Sequence, residues 1–300
     1  MREGLKGNTF FGELHPAVST VYFALVFIII MTSASPFILG AAALLGMIYV
    51  AIQHGVGETT RLIVIGIAVM LFATVLNGLF THNGQTVLFY LGDNRITLEA
   101  FVYGAVMSLM ILGMMFWLKA MSSIMTSDKL IFVFGRVAPV LGLVVSMIFR
   151  FIPLLKNRFS EIKAGQLALG RGAEKGLMTK VRIYIKEVST LISWSLEQSI
   201  ESADSMAARG YGLKNRSSFH LFKMKASDYI VLGVLLVLGG TVILGNVLGV
   251  GKVYYYPEIR FIASRYGASI DGIIYFIFVI LLLLPIVLDI YGEHKWVKSE

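Results

Sequence analysis

Arg171 and Arg209 are the residues of this sequence best placed to grip another molecule. Each is flanked by small residues, as Gly170-Arg171-Gly172 and Ala208-Arg209-Gly210, and the two arginines lie 38 residues apart. Each triplet closes a long amphipathic run. Small neighbours leave a guanidinium unshielded at a helix tip, where its five-donor fork can enter a groove and hold carboxylates or backbone carbonyls. The plainer reading is a helix stop. Gly tolerates the left-handed conformation just past a helix, and Arg in the last turn favours the negative end of the dipole. Both readings can hold at once. Two such tips, each on its own helix, suit a two-fold or pseudo-two-fold partner with two equivalent grooves.

Two long helices must carry these tips. The first runs from about Val140 through Phe151, Leu154, Leu155, Phe159 and Ile162 to Leu169, with Pro153 as a point for a kink. The second runs from about Leu177 through Val181, Tyr184, Val188, Leu191 and Leu196 to Ala207. Apolar residues every three to five positions mark one face of a helix. Roughly 30 residues at about 1.5 Å each give about 45 Å, the length of an arm.

The rest of the chain is far more apolar. Of its 300 residues, 57% are hydrophobic and 15% charged, with a mean hydropathy of +0.78. About 20 apolar residues cross a bilayer as a helix. Spans are expected at 17–33, 36–53, 62–80, 98–118, 228–249 and 271–291. The fold class is therefore all-α polytopic membrane protein with about six transmembrane helices. Its segments are a four-helix region 1–118, a coupling domain 119–226 and two closing helices 227–300. Within the central domain, Ile131 to Ile152 is apolar but interrupted by Arg136, Pro139 and Arg150, and reads as an interfacial helix.

Charge sets the orientation. Segment 119–226 holds 17 of the 26 basic residues and 7 of the 18 acids, a local net charge of +10 against −2 elsewhere. Basic flanks stay on the cytoplasmic side. That places the central domain and both termini in the cytoplasm, and the loops 33–36, 81–97 and 250–270 outside.

Several chemistries are excluded or weak. The chain has no cysteine, so thiolate metal sites and cysteine nucleophiles are ruled out. Its five histidines are scattered without a helical i, i+4 pair, so no metal is expected. Gly249-Val250-Gly251-Lys252 lacks the spacing and the hydroxyl of a phosphate loop. Few ionisable residues fall within the spans; Glu99, Asp228 and Asp289 sit near their ends, which argues against an ion-coupled carrier. The basic excess interleaves with apolar residues, so anionic lipid explains it better than nucleic acid.

The chain resembles the transmembrane T component of energy-coupling factor transporters, over roughly residues 10–225. The resemblance rests on Leu14-His15-Pro16, on Asn77-Gly78-Leu79-Phe80 with Gly78 where the family carries proline, and on Thr126-Ser127-Asp128-Lys129-Leu130. Phe151-Ile152-Pro153-Leu154 with Glu161, Gln166 and Arg171-Gly172 is similar to the family's first coupling helix. Ser205-Met206-Ala207-Ala208-Arg209-Gly210-Tyr211-Gly212 is similar to the second and is the most specific piece. At the first site Gly170 replaces the family's usual alanine.

The resemblance implies a non-catalytic energy-coupling subunit in a prokaryotic plasma membrane. Two cytoplasmic ATPases, which bind ATP and magnesium themselves, would clamp the triplets at Gly170-Arg171-Gly172 and Ala208-Arg209-Gly210. A separate substrate-binding membrane subunit, the S component, would take up a vitamin or metal ion. No cofactor of the chain's own is implied. Phe149, Phe151, Leu154, Leu155 and Trp194 are candidates for the apolar platform facing that subunit; internal packing is the alternative for them. Two other classes compete: the permease subunit of a conventional ATP-driven transporter, and a membrane-embedded enzyme, for which the sequence offers no convergent set of catalytic groups. The family often closes with a single span; here there are two. The tyrosine-rich loop between them, around Tyr254-Tyr255-Tyr256, reads as an interfacial belt or a partner contact.

Overall fold

The structure is a computed structural model, and it describes residues 9–91, 94–137, 139–170, 176–213, 222–261 and 267–297. Helices dominate. In chain order they are α1 (Phe10–Glu13), α2 (Pro16–Thr32), α3 (Pro36–His54), α4 (Val56–Phe80), α5 (Leu98–Ile124), α6 (Ser127–Val137), α7 (Pro139–Ala168), α8 (Leu177–Ala208), α9 (Ala226–Val247) and α10 (Ala268–Val297). Two short antiparallel pairs complete the set: β1 (Val87–Leu91) with β2 (Asn94–Thr97), and β3 (Val253–Tyr254) with β4 (Arg260–Phe261).

Among the described residues, six helices are long and apolar enough to cross a membrane: α3, α4, α5, α9, the Ser269–Gly292 part of α10, and Val140–Ala168 of α7. The chain is a multi-pass membrane protein. Helix α2, at 17 residues, is shorter than these, yet about 17 residues is still the lower limit for a span. The chain folds as two compact units, one of residues 1–126 with 222–300 and one of residues 127–221.

In the first unit the core is aromatic. Tyr22, Tyr49, Phe11, Phe23, Phe116 and Trp117 are all essentially inaccessible. Tyr22 meets Phe11 edge-on at 5.2 Å and Trp117 at 5.8 Å. The indole N–H of Trp117 donates to the Ala42 carbonyl at 3.0 Å, so the buried donor is satisfied. His15 accepts from the Ala17 N–H at 3.2 Å, and Pro16 opens α2 at the position where no N–H is required. The Asp289 carboxylate then ties three elements. It accepts from the Phe11 N–H of α1 at 2.7 Å and from the Tyr49 hydroxyl of α3 at 3.0 Å, while belonging to α10.

Helix α4 lies against α5 through small residues. A Cβ at Gly104 would come within 2.9 Å of Asn77 Cβ and 3.1 Å of the Thr74 backbone, so only glycine permits this approach. Thr74 and Ser108 hydroxyls meet at 3.2 Å across the same seam. Beyond its polar first turns, α4 exposes many apolar side chains, such as Phe72 and Phe80.

The loop 81–97 contains the β1–β2 hairpin. Buried Glu99 accepts from the Thr86 N–H at 2.9 Å, anchoring the hairpin to the start of α5. The tyrosines of the other loop divide. Tyr255 is buried and donates to the Ala34 carbonyl at 2.7 Å, and both it and Tyr256 pack on Tyr103 at 5.4 and 5.5 Å. Burial, and then Tyr103, push the Tyr255 phenol up to about 12, so it remains a donor at ordinary pH. Tyr254 alone of the three is exposed.

Gly104→Leu is expected to part α4 from α5. Cysteines placed at Thr74 and Ser108 should cross-link on oxidation in a chain that otherwise has none. Cross-linking that survives Gly104→Leu contradicts this account of the seam.

Candidate functional site

Helices α7 and α8, of 30 and 32 residues, pack together in the second unit. Phe159 meets Tyr184 edge-on at 5.9 Å. The Arg158 guanidinium lies 5.2 Å from the Trp194 ring centre and also pairs with Glu161 at 2.7 Å. The pair is antiparallel. Late α7 residues Lys163, Gln166 and Leu167 line a cleft of about 360 Å³ with early α8 residues Lys180, Ile183 and Glu187. Early α7 residues Met147 and Arg150 line another, of about 520 Å³, with late α8 residues Ser205, Met206 and Arg209. Two antiparallel helices of this length put their C-terminal tips at opposite ends of the pair, about 45 Å apart. Helix α6 folds back on α7 where Gly142 sits directly against Gly135, leaving no room for a Cβ.

The second tip is fully described. Arg209 is the C-cap of α8, with φ −82° and ψ 6°, and Gly210 follows in the left-handed region at φ 81°. The Gly210 N–H donates to the Ala207 carbonyl and the Tyr211 N–H to the Met206 carbonyl, both at 3.0 Å. This pair of bonds is the Schellman closure. It fixes the backbone that carries Arg209 while the side chain stays exposed beside exposed Ala207 and Ala208. Among the described residues Arg209 has no ion-pair partner.

The first tip closes differently. Its left-handed residue is Gly170, at φ 74°, whose N–H donates to the Leu167 carbonyl at 3.0 Å. The arm was expected to run to about Leu169, and α7 ends at Ala168 with the left-handed turn at Gly170, the position that Ala208 takes at the other tip. Arg171 and Gly172 themselves lie outside the described residues.

The platform candidates are mixed. Phe149 and Leu154 are exposed, whereas Phe151, Leu155 and Trp194 are half-buried, Trp194 beneath Arg158. The apolar stripe of α8 is wider than the sequence reading, which took Leu177, Val181 and Leu196 but not Ile185, Ile192 or Ile200; all six are 52–85% exposed. Their spacing of four, four, seven, four and four marks one helical face, and that periodicity was the available signal. It was hidden because the Val181–Tyr184–Val188–Leu191 face accounts for the helix by itself.

The family model for the cobalt transport protein CbiQ matches residues 13–221. A curated relative, the energy-coupling factor transporter transmembrane protein EcfT of Streptococcus equi subsp. equi (strain 4047), is 28% identical over 186 residues, covering 58% of this chain and 68% of that protein. The EcfT of Bacillus selenitireducens (strain ATCC 700615 / DSM 15326 / MLS10) is 31% identical over 111 residues, covering 36% of this chain and 41% of that protein. This chain thus spans less than half of the second relative's length. The matched region contains both arginine triplets and all of α7 and α8.

Gly210→Ala should strain the α8 tip by about 1 kcal/mol, since an L-residue resists the left-handed conformation. Hydrogen exchange at the Gly210-position and Tyr211 amides is expected to quicken while that of α8's middle turns holds. Unchanged exchange there would mean the closure does not depend on glycine.

Proposed function

The chain belongs to the CbiQ cobalt transport protein family and is the transmembrane T component of an energy-coupling factor transporter, and from that premise we propose that it couples two cytoplasmic ATPases to a separate substrate-binding membrane subunit. Hydrolysis belongs to the ATPases, which hold ATP and magnesium; this chain supplies no catalytic group. The membrane is the plasma membrane of a prokaryote, with both termini and the arginine tips on the cytoplasmic side. The cargo is a vitamin or a metal ion, chosen by the substrate-binding subunit.

One observation carries this reading: Arg209 is held by a glycine closure at an exposed helix end, and the antiparallel α7–α8 pair sends its two C-terminal tips in opposite directions. Such an arrangement suits two ATPase grooves, one per tip. In each groove the guanidinium would take carboxylates or carbonyls through its fork. When ATP draws the ATPases together, the tips follow, and rigid helices transmit the displacement. The coupling comes from the difference in contacts between the open and closed ATPase states. The exposed face Leu177–Val181–Ile185–Ile192–Leu196–Ile200, with Phe149 and Leu154, offers the substrate-binding subunit an apolar surface. Half-buried Phe151, Leu155 and Trp194 would support it from within.

Arg209→Ala and Arg171→Ala should each weaken ATPase co-purification or uncouple hydrolysis from uptake, with the subunit still folded in the membrane. The double substitution should be worse than either. Normal uptake by the double variant at normal expression removes the arginines from the mechanism.

A further inference from the structure

The cleft beside Arg209 also contains Arg150, which the coupling reading leaves without a role. Arg150 is the sole charged residue from Pro139 to Leu155, a run otherwise apolar or uncharged. That run begins the Val140–Ala168 segment, which is apolar enough to cross a membrane although its most apolar stretch is almost wholly uncovered. Leu141, Val144, Ile148 and Ile152 of the same stretch are 43–55% exposed. Something apolar must cover them, and for a helix of this composition lipid is the natural solvent. An arginine in such a stretch lies its stem along the apolar surface and carries its charge to the phosphate level.

The cleft of about 520 Å³ has the two-part chemistry of a lipid headgroup site. Met147, Phe151 and Leu154 form an apolar side. Arg150 and Arg209 bring two guanidiniums, and Ser205 brings a hydroxyl. Neither arginine has an ion-pair partner among the described residues. Glu201 is the acid of the cleft and accepts from Gln198 Nε2 at 3.3 Å. Two cations and one anion leave a single net positive charge. That matches the one negative charge of a phosphodiester better than the near-double charge of a phosphomonoester at neutral pH. Arginine forks bind phosphate oxygens in bidentate fashion.

We propose that in the chain without bound ATPase the Arg150–Arg209 cleft between α7 and α8 binds the headgroup of an anionic phospholipid, with Arg150 as its principal phosphate contact. An acidic protein segment is the competing occupant. The uncovered apolar stretch around Arg150 favours lipid, because a carboxylate has no acyl chain to offer it.

The test uses the full chain, delipidated in detergent and titrated with phosphatidylglycerol, with retained lipid counted by native mass spectrometry. Phosphatidylglycerol is expected to bind at least tenfold more tightly than phosphatidylcholine. Arg150→Gln should lower the phosphatidylglycerol affinity about tenfold and Arg150→Lys should restore part of it, while circular dichroism shows the fold retained. Arg158→Gln, which removes an equal charge from the same helix beside Trp194, should leave binding unchanged. The proposal is overturned if Arg150→Gln binds phosphatidylglycerol as the parent does, or if Arg158→Gln weakens it equally. Complete displacement of the lipid by millimolar inorganic phosphate overturns it too, since the cleft would then take any phosphate. So does loss of ATPase co-purification, without loss of lipid, in Arg150→Gln.

Discussion

Helices α7 and α8 carry apolar side chains on more faces than they can cover for each other, and the stability of the 127–221 unit depends on that shortfall. Among the described residues, the buried apolar cluster and the side chains packed on it lie wholly within 1–126 and 222–300. Helix α8 has one buried side chain, and it is Glu187. A pair of helices with so little private core gains most of its helical stability from whatever covers the exposed faces.

In the unit of residues 1–126 and 222–300 several buried polar groups fasten elements together, where water is excluded and a protein acceptor is worth most. Trp117 finds the α3 backbone, Tyr255 finds the turn between α2 and α3, and Asp289 gathers α1, α3 and α10. These bonds join segments far apart in sequence, so residues 222–300 fold with residues 1–126 although residues 127–221 lie between them in the chain. Helix α4 is fastened differently, by glycine contacts along α5, and presents the rest of its surface outward.

Long periodic elements were legible in the sequence. The arms expected at about 140–169 and 177–207 are α7 and α8 to within two residues, since amphipathic period and glycine stops agree there. Span ends were less legible. Helix α5 was expected to stop at residue 118 and runs to Ile124, because Lys119 is accommodated by Glu58 at 3.5 Å. Helix α4 starts at Val56, directly after Gly55 at φ 80°, and not at residue 62, because it includes the polar turn Glu58 to Arg61. The segment read as one interfacial helix is two, α6 and α7, folded on each other at Gly135 and Gly142. Such close backbone approach leaves no hydropathy signal. Nor do the tertiary bonds of Asp289 and Glu99, which sequence position alone marked only as near span ends.

The two tips show where likeness of residues stops short of likeness of geometry. Gly170-Arg171-Gly172 and Ala208-Arg209-Gly210 differ by one methyl group in three residues. At the second tip Ala208 continues the helix, and the first residue free to turn left is Gly210, so Arg209 precedes the turn and inherits a fixed backbone. At the first tip Gly170 is already free to turn, and it does, at φ 74°. Arg171 therefore follows its turn. A left-handed residue costs an alanine about 1–2 kcal/mol and a glycine almost nothing, so this single methyl is enough to decide where each helix ends.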